Sequence, residues 1–387
     1  MISILRLVLL VAFFSLFRIN AFSQEHTVDT YKKEFLKIDS FARITQPRAA
    51  LALINKLNSR ARTEGNQAML VKSTLYRMLF QSYLEEDALN KILIDLRKDI
   101  DLAKQPEKSI LQSLLAETYC KYYDQHAYQL YKRTAVDANI GNDIKTWSVS
   151  KLTSETINVY MASLAERELL QNTRVDVLNG VLTGDTATRY LRPTLYDLLA
   201  HRALETFLDT RFDLRDEDQQ MGLFYDSVQT IFGQLISYHT EHKNLAALAD
   251  AELKQIKFNH QRHPVEDNEH VYLAALQSLA KKAVNTEIYA DILYEEAAYE
   301  QYEKYRPSPD PEALIKAVSL AEQAIKTYPD SYGAKNAARL LKQIKNKTLD
   351  IELRSFNLPG KPVKIMFSYA NIDSVYLKLY KIPGGRA

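Results

Sequence analysis

Residues Ala317–Ser331 read AVSLAEQAIKTYPDS, and this stretch decides the fold class. Ala317, Ala321 and Ala324 recur at the three- and four-residue spacing that places side chains on one face of a helix. A face of alanines lets a second helix approach closely, and Pro329 ends the run because proline cannot continue a helix. Tyr332–Ile344 (YGAKNAARLLKQI) then carries the same periodicity. Ala338 on that second helix is expected to be buried as Ala324 is.

The pattern extends upstream through most of the chain. Pro47 stands where a helix begins, and Ala50, Leu53, Ile54, Leu57 and Ala61 follow at helical spacing until Gly65. Leu75, Met78, Leu79 and Tyr83 mark the next helix. Leu89, Ile92, Leu93, Leu96 and Ile100 mark another, stopped by Pro106, and Ile110, Leu114, Leu115, Tyr119 and Tyr122 follow. Gly141–Gly184, with Trp147, Asn172, Asn179 and Gly180, reads as helices broken by longer loops. Periodicity resumes in Pro193–Phe207, Leu223–Tyr238, Asn244–Phe258, His270–Ala283 and Thr286–Tyr305. Short connections between such stripes make antiparallel neighbours. The offsets of Ala317, Ala321, Ala324 and Pro329 are those of the second helix of a tetratricopeptide repeat. The predicted architecture is mainly all-α, tetratricopeptide-like stacked helical hairpins, with the repeat degenerate elsewhere.

Composition agrees. Glycine (10) and proline (11) together make about 5% of 387 residues, against about 12% in ordinary domains, which disfavours turn-rich barrels, sandwiches and propellers for most of the chain. After Lys347 the period changes from helical to alternating. Leu349–Arg354, Val363–Tyr369 and Ser374–Lys381 alternate apolar and polar residues as half-buried strands do, with Pro359-Gly360 as punctuation. Three strands cannot cover both their faces, so residues 349–387 read as the start of a β domain that a longer chain would complete. The expected organisation is 1–23 signal peptide, 24–348 helical domain and 349–387 incomplete β domain.

The first of these is an address. Leu7–Phe17 (LVLLVAFFSLF) is apolar but for Ser15, and Ala21-Phe22-Ser23 offers small residues at the two positions a signal peptidase reads. Eleven apolar residues are too few to span a bilayer, which takes roughly 20. The mature chain would begin near Gln24 in the periplasm, cell envelope or extracellular space. Lys and Arg number 50 against 48 Asp and Glu, and the signal holds Arg6 and Arg18 but no acid, so the mature charge is zero. No net field favours nucleic acid or an anionic membrane.

Little in the sequence marks chemistry. His239 and His242 share a helix three residues apart, as do His260 and His263, but no further ligand accompanies either pair, so they read as solvated or capping residues. Cys120 in AETYCKYY lies on the apolar side of a Tyr-rich helix and reads as an inert packing thiol. One cysteine also excludes an intrachain disulfide framework. Glu85-Glu86 and Glu295-Glu296 read as solvated acidic pairs. No phosphate-binding loop, serine-nucleophile elbow or dinucleotide fingerprint occurs. No catalytic, cofactor-binding or metal residue is assigned, and no cofactor is expected. The 24 tyrosines are read as filling wide gaps between helices, with a tyrosine-lined groove as the alternative.

Several segments resemble the N-terminal helical region of secreted bacterial alpha-2-macroglobulin-like proteins. They are Tyr31–Leu57 (YKKEFLKIDSFARITQPRAALALINKL), Ile110–Tyr123 (ILQSLLAETYCKYY), Pro193–Leu208 (PTLYDLLAHRALETFL) and Tyr328–Ile344 (YPDSYGAKNAARLLKQI). Asn357–Ile382 (NLPGKPVKIMFSYANIDSVYLKLYKI) is similar to the opening strands of that family's first macroglobulin-like domain. The resemblance implies a non-enzymatic module of a protein that traps or inhibits proteases through later domains. The family's Cys–Gln thioester has no counterpart around Cys120. The alternative is a free-standing secreted scaffold binding a peptide or cell-envelope partner, which leaves the strands unexplained.

Overall fold

A computed structural model describes residues 28–43, 46–84, 87–131, 143–182, 186–208, 218–262, 268–303, 312–353, 362–378 and 380. The expected signal peptide lies outside these, as do Glu85, Glu86 and His263. The chain is mainly helical, with a short two-stranded antiparallel sheet near its C-terminus. It falls into two compact units, Met1–Ala251 and Glu252–Ala387.

The first unit begins with α1 (Val28–Arg43), α2 (Pro47–Glu64), α3 (Gln67–Leu84), α4 (Ala88–Leu102) and α5 (Glu107–Tyr131). Pro47 opens α2, and Gly65 closes it at φ 64°, in the left-handed region that glycine enters without penalty. Asn66 N–H then donates to Ala61 O at 2.9 Å, satisfying a carbonyl the helix end would leave bare. Each helix of this run packs on its sequence neighbour, and α3 also meets α5. Tyr31, Phe35 and Ile38 of α1 close with Ala50, Ile54, Leu57 and Ala61 of α2 and Tyr76 and Phe80 of α3. Burying a side chain of this size contributes about 1.5–3 kcal/mol, which is how these stripes hold helices of modest propensity.

The Gly141–Gly184 stretch is irregular, as its weak periodicity predicts. Its described part holds a 3₁₀ turn at Ile144–Thr146, α6 (Val149–Ser163), the short α7 (Arg167–Asn172) and a second 3₁₀ turn at Val175–Leu178. Trp147 is buried against Tyr119 of α5, ring centroids 5.4 Å apart, and anchors the segment. A third 3₁₀ turn (Thr186–Leu191) precedes α8 (Leu195–Phe207), then come α9 (Asp218–Glu241) and α10 (Leu245–Arg262), within which the division between units falls.

The second unit continues with α11 (Asn268–Ala283), α12 (Ile288–Glu303), α13 (Ala313–Thr327) and α14 (Tyr332–Ile344). Here α12 packs on α11, α13 and α14. Ala290 and Ala297 of α12, Ala321 and Ala324 of α13 and Ala337 of α14 are all fully buried in one seam with Leu293 and Leu340. Ala338, expected in that seam, is exposed, and Ala337 takes the place. Ser331 caps the helix by accepting Ala334 N–H at 3.1 Å, and Gly333, Ala334, Ala337 and Leu340 lie on the inner face. Residue 338 falls about 100° of helical rotation away. Ala324→Leu should overpack the seam and destabilise by about 1–3 kcal/mol, read as a lower thermal midpoint, whereas Ala338→Leu should leave the midpoint nearly unchanged.

Among the described residues the C-terminal ribbon has two strands where three are expected. β1 (Thr348–Leu353) and β2 (Ile365–Ala370) pair antiparallel. Residues 374–378 and 380 form no strand; Leu379 and Lys381 lie outside the described residues. Alternation alone does not make a strand; the segment must also pair with an edge, and among the described residues both β1 and β2 keep one edge unpaired.

Candidate functional site

The chemistry-bearing side chains gather in three places, and each is only partly visible in the sequence.

One cluster joins α8 to α9 and α10. Thr194 accepts Asp197 N–H at 3.1 Å while Asp197 Oδ2 accepts from Thr194 N–H at 2.9 Å and its hydroxyl at 2.8 Å, a complete capping box at the start of α8. The other oxygen of Asp197 lies 2.9 Å from His239 Nε2 on α9. Both residues are buried to 1% exposure or less, so His239 is a core residue and not the solvated one its sequence suggests. His242 is exposed and its Nδ1 lies 2.9 Å from Tyr238 O. His260, half-buried, stacks on Tyr272 at 4.0 Å. His201 on the next turn of α8 lies 3.7 Å from Asp250 of α10. An aspartate holding a histidine is half of a nucleophile-activating relay, but both groups here are enclosed, and among the described residues no hydroxyl or thiol nucleophile touches the histidine. The Asp197–His239 pair fastens two helices together.

A second cluster lies where α5, α6 and α8 meet. Glu117 pairs with Arg202, and with Lys121 at 2.8 Å; Arg202 Nε also donates to Ser113 Oγ at 3.0 Å. Burial alone would raise the Glu117 carboxyl, but the two cations outweigh it and hold it down to about 2. Cys120, one residue before Lys121, is half-buried and its thiol donates to Ala116 O at 3.3 Å. Burial, reinforced by Glu117 and Asp124, pushes that thiol well above the ordinary range. A thiol so protonated is a poor nucleophile, in keeping with its reading as a packing residue. Among the described residues, no group of three His, Cys, Asp or Glu could hold a metal ion.

The tyrosines are mostly framework. Tyr76 donates to Asp39 at 3.1 Å, Tyr31 to Glu64 at 2.7 Å, Tyr328 to Val284 O at 2.9 Å, and Tyr160 shares a 2.9 Å bond with Thr206. Their rings fill helix–helix gaps while their hydroxyls close local bonds.

The third place is the ribbon, and it is a surface. Its register sets Leu349 opposite Tyr369, Ile351 opposite Phe367 and Leu353 opposite Ile365, so six apolar side chains share one face. Thr348, Asp350, Glu352, Met366, Ser368 and Ala370 form the other. On the apolar face Leu349, Ile351, Leu353 and Tyr369 are exposed, and Ile365 and Phe367 are only half-buried. Asn371 fixes this ribbon to the helices. It adopts φ 56°, and its carboxamide donates to Ile344 O and Asn346 O, both at 2.8 Å, across the end of α14. Asparagine tolerates that left-handed backbone better than other side chains, so one residue serves both turn and clamp. Replacing Asn371 by alanine should speed amide exchange in β1 and β2 about tenfold, since two hydrogen bonds of roughly 0.5–1.5 kcal/mol each are lost. Glycine at that position, which restores the backbone but not the carboxamide, should give a smaller change.

No helix among the described residues is long and apolar enough to cross a membrane. Compared with protein-family models, curated proteins and solved structures, the chain matches none.

Proposed function

We propose that this chain is a non-enzymatic helical module of a secreted alpha-2-macroglobulin-like protein that traps or inhibits proteases, with the ribbon as its joint to β-structure. The observation that carries the reading is the ribbon's apolar face, six side chains in register of which four are open to water. A two-stranded ribbon is marginal alone, and a face of this kind is stable when another sheet or further strands cover it. The helices act as a mount. In the second unit α12, α13 and α14 pack each on the others, an arrangement compatible with tetratricopeptide-like stacking. The clusters of titratable groups described above are spent on helix–helix fastening, which is why the role assigned is mechanical.

The test is the reading frame that follows Ala387 and the protein it encodes. The proposal expects several all-β domains of roughly 100 residues. It also expects that the whole product, mixed with an endoprotease, carries the protease into its own size-exclusion peak, while the 387-residue chain alone does not. Methylamine should add no mass to Cys120. An absence of β domains would overturn the reading. Because Asn371 clamps the ribbon to α14, the free-standing scaffold would then be the better account.

A further inference from the structure

Glu296 lies on α12 within the second unit and is 5% exposed. Its Oε1 is buried without a hydrogen-bond partner. Its neighbours on the helix show where it points. Glu295 pairs with Lys257 of α10, and the Tyr299 ring meets Tyr272 of α11 at 5.8 Å, so one flank of Glu296 borders α10 and α11. On its other flank Leu293 and Ala297, with Ala290, fill the seam with α13 and α14, so Glu296 stands between the two contact faces of α12. A carboxylate in such a place has exchanged water for hydrocarbon, and ionisation there is costly unless a cation answers it.

Among the described residues, no cation answers it. On α12 itself the nearest is Glu300, one turn on and of the same sign. From α10, Lys257 is engaged by Glu295, Glu252 is paired with Lys282, Lys254 is half-buried and His260 stacks on Tyr272. From α11 come Tyr272, a neutral phenol, and His270, Lys281 and Lys282, all exposed. Lys316, Glu322 and Lys326 of α13 and Lys335, Arg339 and Lys342 of α14 lie on the outer faces, since those helices turn alanine, glycine and leucine inward. Burial first, and Glu300 second, push the Glu296 carboxyl up to about 7.

We infer that Glu296 is a proton-operated latch: the packing of α12 in the second unit is tight while its carboxyl carries a proton and loosens once that proton is lost. The sign follows from linkage. In the opened segment the carboxyl meets water and titrates near its ordinary value of about 4.5, whereas in the closed one it holds its proton to about 7. Closure is therefore strongest below about pH 4.5 and weakens up to tenfold per pH unit until about pH 7, where the effect levels off. Glu296→Gln and Glu296→Met have no proton to lose.

The experiment is hydrogen exchange of the full chain, followed in the peptides covering 288–303 and corrected for the intrinsic pH dependence of exchange. In the parent, the opening constant should rise more than about tenfold from about pH 5 to about pH 7.5, by the same one-proton linkage. In Glu296→Gln it should stay flat across that range. Peptides of α2 and α3 should show no difference between the two proteins. Equal pH dependence in parent and Glu296→Gln would overturn the latch, as would a flat profile in the parent. Should the glutamine variant misfold, Glu296→Met gives the same comparison, and the parent profile alone still decides.

Discussion

Gly333→Ala is expected to be among the most damaging single-methyl additions this chain can receive, costing at least about 3 kcal/mol and taking the α12–α13–α14 seam apart. Gly333 is the second residue of α14, in ordinary helical backbone, so alanine ought to be favoured there by about 1 kcal/mol on propensity alone. The neighbour reverses the sign. A Cβ at this position would fall inside contact distance of Asp291 N and Ala290 C and 2.6 Å from Ala290 O, all of them backbone atoms of α12. A side chain could swing away, but a backbone in a helix cannot, so the two helices must part. Parting them opens Ala290, Ala297, Ala324 and Ala337 to a gap that no larger residue fills. The control is built into the same chain. Gly222 and Gly233 on α9 have nothing within 4 Å of where an added methyl would stand, so alanine at either should raise stability by up to about 1 kcal/mol. Three identical substitutions, melted side by side, should therefore give one large loss and two small gains. A Gly333→Ala midpoint equal to that of the parent would mean that α12 and α14 are not in backbone contact.

The contrast among those glycines shows what is legible in the sequence. Helix positions are, because Pro47, Gly65, Pro106 and the apolar stripes act locally: α2 runs from Pro47 to Glu64 with Gly65 as its cap, as the residues indicate. The alanine face of α13 is legible for the same reason. The partner of that face is not, because it lies on other helices of the chain. The paired charges are the least visible. Asp197 and His239 stand 42 residues apart, and Glu117 and Arg202 stand 85 apart. The Thr194–Asp197 capping box and the i,i+4 spacing of Glu117 and Lys121 offer the local signals. Glu296 reads as solvated and is buried instead, because an acidic pair looks alike on either face of a helix and α12 is enclosed on more than one side.

Removing the Glu117 carboxylate is the second large loss expected, about 3–5 kcal/mol for Glu117→Ala. The reason lies in what stays behind. Arg202 and Lys121 retain only 16% and 21% side-chain exposure, so without Glu117 two largely enclosed cations lose the carboxylate they share. Ser113 can accept one hydrogen bond from Arg202 but cannot neutralise it. The cost is that of two enclosed positive charges losing their shared counter-charge, and this distinguishes it from an ordinary truncation. Three measurements separate the two. Glu117→Leu combined with Arg202→Met replaces the pair by apolar groups of similar bulk, and should recover much of the loss seen in Glu117→Leu alone. Arg202→Met alone should cost less than Glu117→Ala, because Lys121 remains 2.8 Å from the carboxylate to answer it. The third is pH. Glu117 titrates near 4.5 when unfolded and near 2 when folded, so its contribution is fully present above about pH 4.5 and is lost as pH falls toward 2. The parent should therefore lose stability through that window more steeply than Glu117→Ala, whose other carboxylates are unchanged. The two curves should converge at the acid end. If they run parallel instead, the Glu117–Arg202 pair is not buried in the folded chain, and the meeting of α5 with α8 must rest on its apolar residues alone.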